Sequence, residues 1–326
     1  MSNRKNGKRI AYICLILILV LVMLYSGLRI LESTVFAPQS ENTVPTKTIT
    51  RNGIDYFPRQ DITVVMVLGI DKFGPVQASE SYNNDGAADM VLLLIFDETN
   101  KELSILALNR DTMLEMPVLG LGGKYAGTYY GQLALSHTYG SGLADSCENT
   151  RQTVSDFLYG INIDHYVSMH MDAISLLNDA VGGVTVNIKD DFSAIDPTMP
   201  KGVITLKGKQ AINFVRSRAA VGNQLNVSRM ERQETYMSGF LSALREQLSS
   251  NDSFALSVVD QISPYLVTDC SATTISGMMD RYADYSLKQI VSPEGENMMG
   301  EKYYEFHVNE EKLDELILQL FYAPKK

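Results

Sequence analysis

Three uninterrupted apolar runs constrain this chain more than any other feature: Ile62–Gly69 (ITVVMVLG), Met90–Phe96 (MVLLLIF) and Leu103–Leu108 (LSILAL). Short runs rich in β-branched residues, with no polar alternation, read as strands covered on both faces. Asp97-Glu-Thr-Asn100 lies between the last two and reads as a hairpin turn. Downstream, Leu133–Tyr139, Glu148–Leu158 and Asp172–Ala180 read as helices. His165–Met169 and Val184–Ile188 read as strands, with Gly182-Gly183 closing the helix between them. Residues 250–290 read as helical, Tyr303–Val308 as a late strand and Glu311–Phe321 as a terminal helix. Strands alternating with helices imply an α/β fold, a central mixed sheet layered with helices. Residues 61–326 suffice for one such domain with a substantial core.

Ahead of it, Arg4, Lys5, Lys8 and Arg9 precede Ile10–Leu28, which carries no charge. That length spans a bilayer as a helix, and its basic flank predicts a cytoplasmic N-terminus. No small-residue cleavage site follows, so an anchor is expected rather than a removable signal. The expected organisation is a cytoplasmic terminus 1–9, a transmembrane helix 10–28, a Pro/Thr/Ser/Asn stalk 29–60 and an extracellular domain 61–326. The chain has 28 basic and 38 acidic side chains, a formal charge of −10. An acidic domain outside the cell argues against nucleic acid as a partner. Cys14 falls in the span; Cys147 and Cys270 lie outside, and no CxxC pair suggests a metal-thiolate site. The four histidines, His137, His165, His170 and His307, are scattered and read as structural.

In this acidic domain the arginines cluster: Arg216 and Arg218, then Arg229, Arg232 and Gln233. Ser228 to Glu231 has capping-box spacing and predicts a helix start at Ser228. Met230, Met237, Leu241, Leu244 and Leu248 would form its core face. Arg229, Arg232, Gln233 and Tyr236 would share another. Arg216-Ser-Arg218 has period-two spacing, so in an extended segment both arginines point the same way. Clustered guanidinium groups at a helix start suit an anion, phosphate above all; the alternative is surface pairing with Glu231 and Glu234. Carboxylates mark the ends of the apolar strands: Asp71 after the first, Asp89 before the second and Arg110-Asp111 after the third. Two carboxylates beside phosphate make a hard-oxygen site suited to Mg²⁺. GxxxxGK[ST], GxGxxG and GxSxG are all missing from the sequence.

In this order the segments resemble the LytR-CpsA-Psr family of cell-envelope proteins over roughly residues 61–245. The carriers are Leu68-Gly-Ile-Asp71, Asp89 before MVLLLIF, Asn109-Arg-Asp-Thr112, LSHTYGSG from Leu135, Ile163-Asp-His-Tyr166, Leu177–Val184, Gly208–Arg218 and Ser228–Gln233. The resemblance implies a phosphotransferase that moves a glycopolymer from an undecaprenyl-pyrophosphate carrier to peptidoglycan through a phosphodiester. It implies an α/β sandwich with a lipid-binding tunnel. By matched position, Asp71 and Asp89 would hold Mg²⁺. Arg110, Arg216, Arg218, Arg229 and Gln233 would bind the pyrophosphate, Arg232 would support them and Asp111 would orient Arg110; Asp89, Arg110 and Arg229 are the residues expected to carry catalysis. The chain departs from the family pattern at Ala87, Gln132 and Asn226, where charged residues are usual, and at Asn109, where proline is.

Overall fold

The apolar runs become neighbouring strands of one sheet. The computed structural model describes residues 48–324, apart from 82, 218–220, 222–225 and 252. The terminus expected at 1–9 and the span expected at 10–28 lie outside the described residues, as does Arg218. Among the described residues no helix is long and apolar enough to cross a membrane.

Two short strands, β1 (Ile49–Arg51) and β2 (Ile54–Pro58), lie within the segment read as stalk. They form a small sheet with the last strand of the chain, Tyr322–Pro324. The strand reaches further upstream than composition suggests because its partner comes from the far end of the sequence. Next come β3 (Ile62–Ile70), β4 (Ala88–Asp97) and β5 (Glu102–Leu108), paired antiparallel in that order. The Asp97–Asn100 turn forms as its residues indicate: the Asp97 carboxylate accepts the backbone N–H groups of Thr99 and Asn100 at 3.1 and 2.8 Å. A hairpin of β6 (Met113–Leu119) and β7 (Tyr125–Gln132) leads to the helix expected from Leu133, which is a 3-10 helix over Leu133–Thr138. The helix Ala144–Phe157 precedes β8 (His165–His170), which joins β3 in parallel.

The strand expected at Val184–Ile188 forms as β9 but leaves the central sheet. It pairs with β10 (Gly202–Leu206) instead. Sheet membership depends on partners that no local pattern specifies. The stretch 250–290 is helical at Phe254–Ile262 and Ala272–Tyr282, but it also supplies β11 (Leu266–Thr268) and the start of β12 (Ser286–Val291). Three residues of LVT are too few to show a period. The central sheet therefore runs β11-β8-β3-β4-β5-β12, with β8–β3 and β12–β5 parallel. A hairpin of β13 (Gly295–Met299) and β14 (Tyr304–Val308), then the helix Glu310–Phe321, complete the chain before Tyr322–Pro324.

Alternating residues of the central strands enter two cores, as continuous apolar runs require. Val64, Met66, Leu68 and Ile70 pack with Val154, Leu158, Leu313 and Ile317 on one face. Val65, Leu92, Phe96 and Ile105 face the long helix Asn226–Ser250 and the helix Ala272–Tyr282 on the other. The second face is the looser: Val67, Met90 and Leu94, with Met230, Met237 and Leu241 from the long helix, are only partly buried. A third core joins β9 and β10 to the far side of that helix through Tyr236, Phe240 and Leu244. Thus the single core face read on this helix divides between two cores.

Candidate active site

β3 and β4 end side by side, and a bulge there sets the two carboxylates. Gly69 opposes Met90 but Ile70 opposes Ala88, so Asp89 is the extra residue. Bulges of this kind re-aim a side chain at a sheet edge. A Cβ on Gly69 would stand 3.1 Å from the Met90 Cβ, so glycine permits the close approach. Asp71 follows directly, its N–H donating to the Ala87 carbonyl at 3.0 Å. β5 ends one residue short of Asn109, and Arg110 pairs with Asp89 Oδ1.

Two further elements deliver arginines. Arg229, in the first turns of the long helix, reaches Asp89 Oδ2 with Nη1 at 3.2 Å and the Asp89 carbonyl with Nη2 at 3.5 Å. It is only 3% exposed. Arg216 places Nε and Nη2 on Asp71 Oδ1 at 3.0 and 2.9 Å, and lies over the exposed Phe73 ring. The structure therefore forms two ion-pair groups at adjacent strand ends, Arg216 on Asp71 and both Arg110 and Arg229 on Asp89.

Three sequence-based expectations change here. Arg216 does not lie in an extended segment; it is the last residue of the helix Lys209–Arg216, whose Ala211, Ile212, Phe214 and Val215 are buried. The long helix begins at Asn226, not Ser228. Arg232 and Gln233 do not point at the carboxylate pair. Arg232 is buried, donates to the carbonyls of Phe214 and Ser217, and pairs with Asp190 at 3.0 Å. Burial lowers its pKa, and Asp190 opposes the shift. Gln233 Nε2 donates to the Val215 carbonyl at 3.2 Å. Both side chains satisfy backbone carbonyls at the end of the short helix, which otherwise lack intrahelical partners, and so fix where Arg216 starts.

Asp111 lies beside Arg110, with Oδ1 at 3.2 Å from Nε. Gln132 Nε2 donates to Asp111 Oδ1 at 3.1 Å and to the Tyr304 carbonyl at 2.8 Å, tying β7 to β14 beneath the site. Sequence reasoning missed Asn84. It is buried in the extra segment between the two aspartates and donates to the carbonyls of His137, Thr138 and Gly140. His137 Nδ1 bonds the Gly86 carbonyl at 2.8 Å. Burial pushes its imidazole down to about 4, so it is neutral at physiological pH. The only sequence signal for this clamp is the turn-like Asn83-Asn-Asp-Gly86.

Chemically, the arrangement is a set of guanidinium forks held on carboxylates, with Met90 and Met230 of the looser apolar layer next to Asp89 and Arg229 in the sequence. A phosphate group competes well for such forks. Asp71 and Asp89 offer the hard oxygen donors that Mg²⁺ takes.

Fold and site together define a mixed-sheet α/β domain with an arginine–carboxylate centre at one end of the sheet. The chain belongs to the LytR_cpsA_psr family, whose model matches residues 31–321. It is 25% identical over 290 residues to TagU of Oceanobacillus iheyensis, a polyisoprenyl-teichoic acid–peptidoglycan teichoic acid transferase, covering 86% of this chain and 82% of that protein. Against the TagU of Enterococcus faecalis identity is 28% over 207 residues, 64% of this chain and 61% of that protein. The solved structure of TagT bound to LI-WTA shares the fold, with a TM-score of 0.59 at 23% identity, over 80% of this chain and 90% of that one.

Proposed function

We propose that this protein is a phosphotransferase that moves a glycopolymer from an undecaprenyl-pyrophosphate carrier to peptidoglycan through a phosphodiester bond. One observation carries the reading: two carboxylates at adjacent strand ends are held by three arginines from three separate elements. The name of the Oceanobacillus relative supports the substrate class. Arg110, Arg216 and Arg229 would exchange carboxylate for pyrophosphate oxygens, and Arg218 would join them from outside the described residues. The partly buried apolar side chains between the sheet and the long helix would take the prenyl chain.

In this reading an acceptor hydroxyl attacks the polymer-side phosphorus, the bond to the bridging oxygen breaks and the carrier monophosphate leaves. Asp89 is the carboxylate proposed to receive the acceptor's proton. Asp71 and Asp89 would hold Mg²⁺, which supplies positive charge to the phosphate oxygens. Charge stabilisation by each arginine is on the order of 2–4 kcal/mol in the transition state. An anchor at Ile10–Leu28 would keep the domain outside the cell beside its membrane-bound donor.

Ala87, Gln132 and Asn226 replace usually charged positions and favour a second reading, a receptor that binds the lipid pyrophosphate without turnover. The test incubates the full chain with Mg²⁺ and a prenyl-pyrophosphate-linked polymer, with and without peptidoglycan, and measures carrier monophosphate. Transferase action requires release that depends on peptidoglycan. Release without peptidoglycan marks a pyrophosphatase, and binding without release marks a receptor.

A further inference from the structure

Away from the arginines, the register of the sheet brings a second set of chemistry-bearing side chains together. β11 pairs antiparallel with β8 over three positions, Leu266 with Met169 through Thr268 with Val167. β8 begins at His165, beyond the paired positions, and the chain leaves β11 through Asp269 and Cys270 at the same end. One ligand atom from each of His165, Asp269 and Cys270 lies within 4.8 Å of the others.

The loop that carries them is fixed from both sides. Tyr166 N–H donates to Asp269 Oδ1 at 3.1 Å, and Cys270 N–H donates to Thr268 Oγ1 at 3.1 Å. Thr268 Oγ1 in turn donates to the Tyr166 carbonyl at 2.7 Å. His165 Nδ1 is buried and makes no hydrogen bond. Its nearest carboxylate oxygen, Asp269 Oδ2, is 3.6 Å away. That gap is too long for a hydrogen bond. It equals the separation of two ligands on one tetrahedral ion, roughly 3.3–3.7 Å for bonds of about 2.0–2.3 Å. The Cys270 thiol donates to Asp269 Oδ1 at 3.5 Å, so it already faces that carboxylate and would give up its proton on binding a metal.

We propose that His165, Asp269 and Cys270 form a binding site for one zinc-type divalent ion, with water completing its coordination on the exposed side of Asp269. A thiolate, an imidazole and a carboxylate together select a borderline ion such as Zn²⁺ over Mg²⁺ or Ca²⁺, which take oxygen ligands. Arg151 approaches Asp269 Oδ2 at 3.7 Å and competes for it, but Arg151 also pairs with Glu148 at 2.5 Å and keeps that partner when Asp269 turns to a cation. The location indicates a structural role. β8 lies parallel to β3 with His170 level with Ile70, so His165 is at the end of β8 away from Asp71. An ion there would add a further tie between β8 and the end of the three-residue edge strand β11.

The test uses the full chain in detergent, stripped of metal with a chelator and titrated with Co²⁺. The expected result is one equivalent bound, with a thiolate-to-cobalt charge-transfer band that disappears on adding Zn²⁺. The band should survive Cys147→Ser and be lost in Cys270→Ser and His165→Gln. A measurement on the unaltered chain guards against variants that misfold. Zn²⁺, but not Mg²⁺, should slow alkylation of Cys270 at least tenfold, read by peptide mass spectrometry. No thiolate band at saturating Co²⁺, an equal band in folded Cys270→Ser, or unprotected Cys270 in the unaltered chain would each overturn the site.

Discussion

Asp89 and Arg110 are set against each other by the register of β4 and β5: Val91 opposes Leu108, and two positions further out the carboxylate meets the guanidinium. The same carboxylate meets Arg229, so one bulged residue collects charge from two elements distant in sequence. Removing either arginine therefore changes both the charge offered to an anion and the setting of Asp89.

Arg216 and Arg229 should separate activity from folding. Arg216 is exposed and its pair with Asp71 contributes little to stability. Arg216→Ala should shift the melting temperature by no more than about 2–4 °C while transfer falls by about 30-fold or more. Arg229 is buried against Asp89, and breaking a buried pair costs about 3–5 kcal/mol. Arg229→Ala should lose both transfer and stability in denaturant titrations. Equal melting curves for the two variants would contradict their different burial.

Arg232 and Gln233 are expected to act through the end of the Lys209–Arg216 helix. Gln233→Leu removes the bond to the Val215 carbonyl. It should cost about 1–3 kcal/mol of stability and weaken pyrophosphate binding less than Arg216→Ala does. Calorimetry on both variants checks the order.

The metal proposal predicts coupling. Carboxylates paired with arginines are poor sites for a lone Mg²⁺, but a phosphate that draws the arginines away frees them. Mg²⁺ should bind the empty chain weakly and more tightly with a prenyl-pyrophosphate analogue present. Asp71→Asn and Asp89→Asn should each reduce that gain. If Mg²⁺ alters neither affinity nor turnover, the carboxylates serve the arginines alone.

His137 gives stability a defined pH dependence. Its folded pKa of about 4 lies below the ordinary 6.5, because burial disfavours the charged ring. The unfolded chain then binds the proton more readily between those values. Stability is fully present above pH 6.5 and declines as pH falls toward 4, by about 3 kcal/mol in all. His137→Asn keeps a donor for the Gly86 carbonyl without the titration. Denaturant melts at pH 7 and pH 4.5 should show a smaller loss for the variant than for the unaltered chain.

Much of the fold was legible because its central strands are continuous apolar runs, and Asp71, Asp89 and Arg110 were legible because they end those runs. The pairing of β2 with the chain's last strand and the departure of β9 from the sheet depend on distant partners. The roles of Arg232 and Gln233 were hidden for the same reason. Helical spacing put them on one face with Arg229, but their acceptors are carbonyls of a neighbouring helix. Arg216-Ser-Arg218 suggested an extended segment, whereas the buried Ala211, Ile212, Phe214 and Val215 carry the helix through Arg216.

The most direct test of the central claim is the chemical identity of the product. The full chain would be supplied with a synthetic prenyl-pyrophosphate-linked polymer, Mg²⁺ and peptidoglycan oligomers, and the oligomers analysed by mass spectrometry after muramidase digestion. A polymer joined to a peptidoglycan sugar through one phosphodiester, much reduced with the stable variant Arg216→Ala, is the expected outcome. Unmodified oligomers beside free polymer phosphate, or beside intact donor, would contradict transfer.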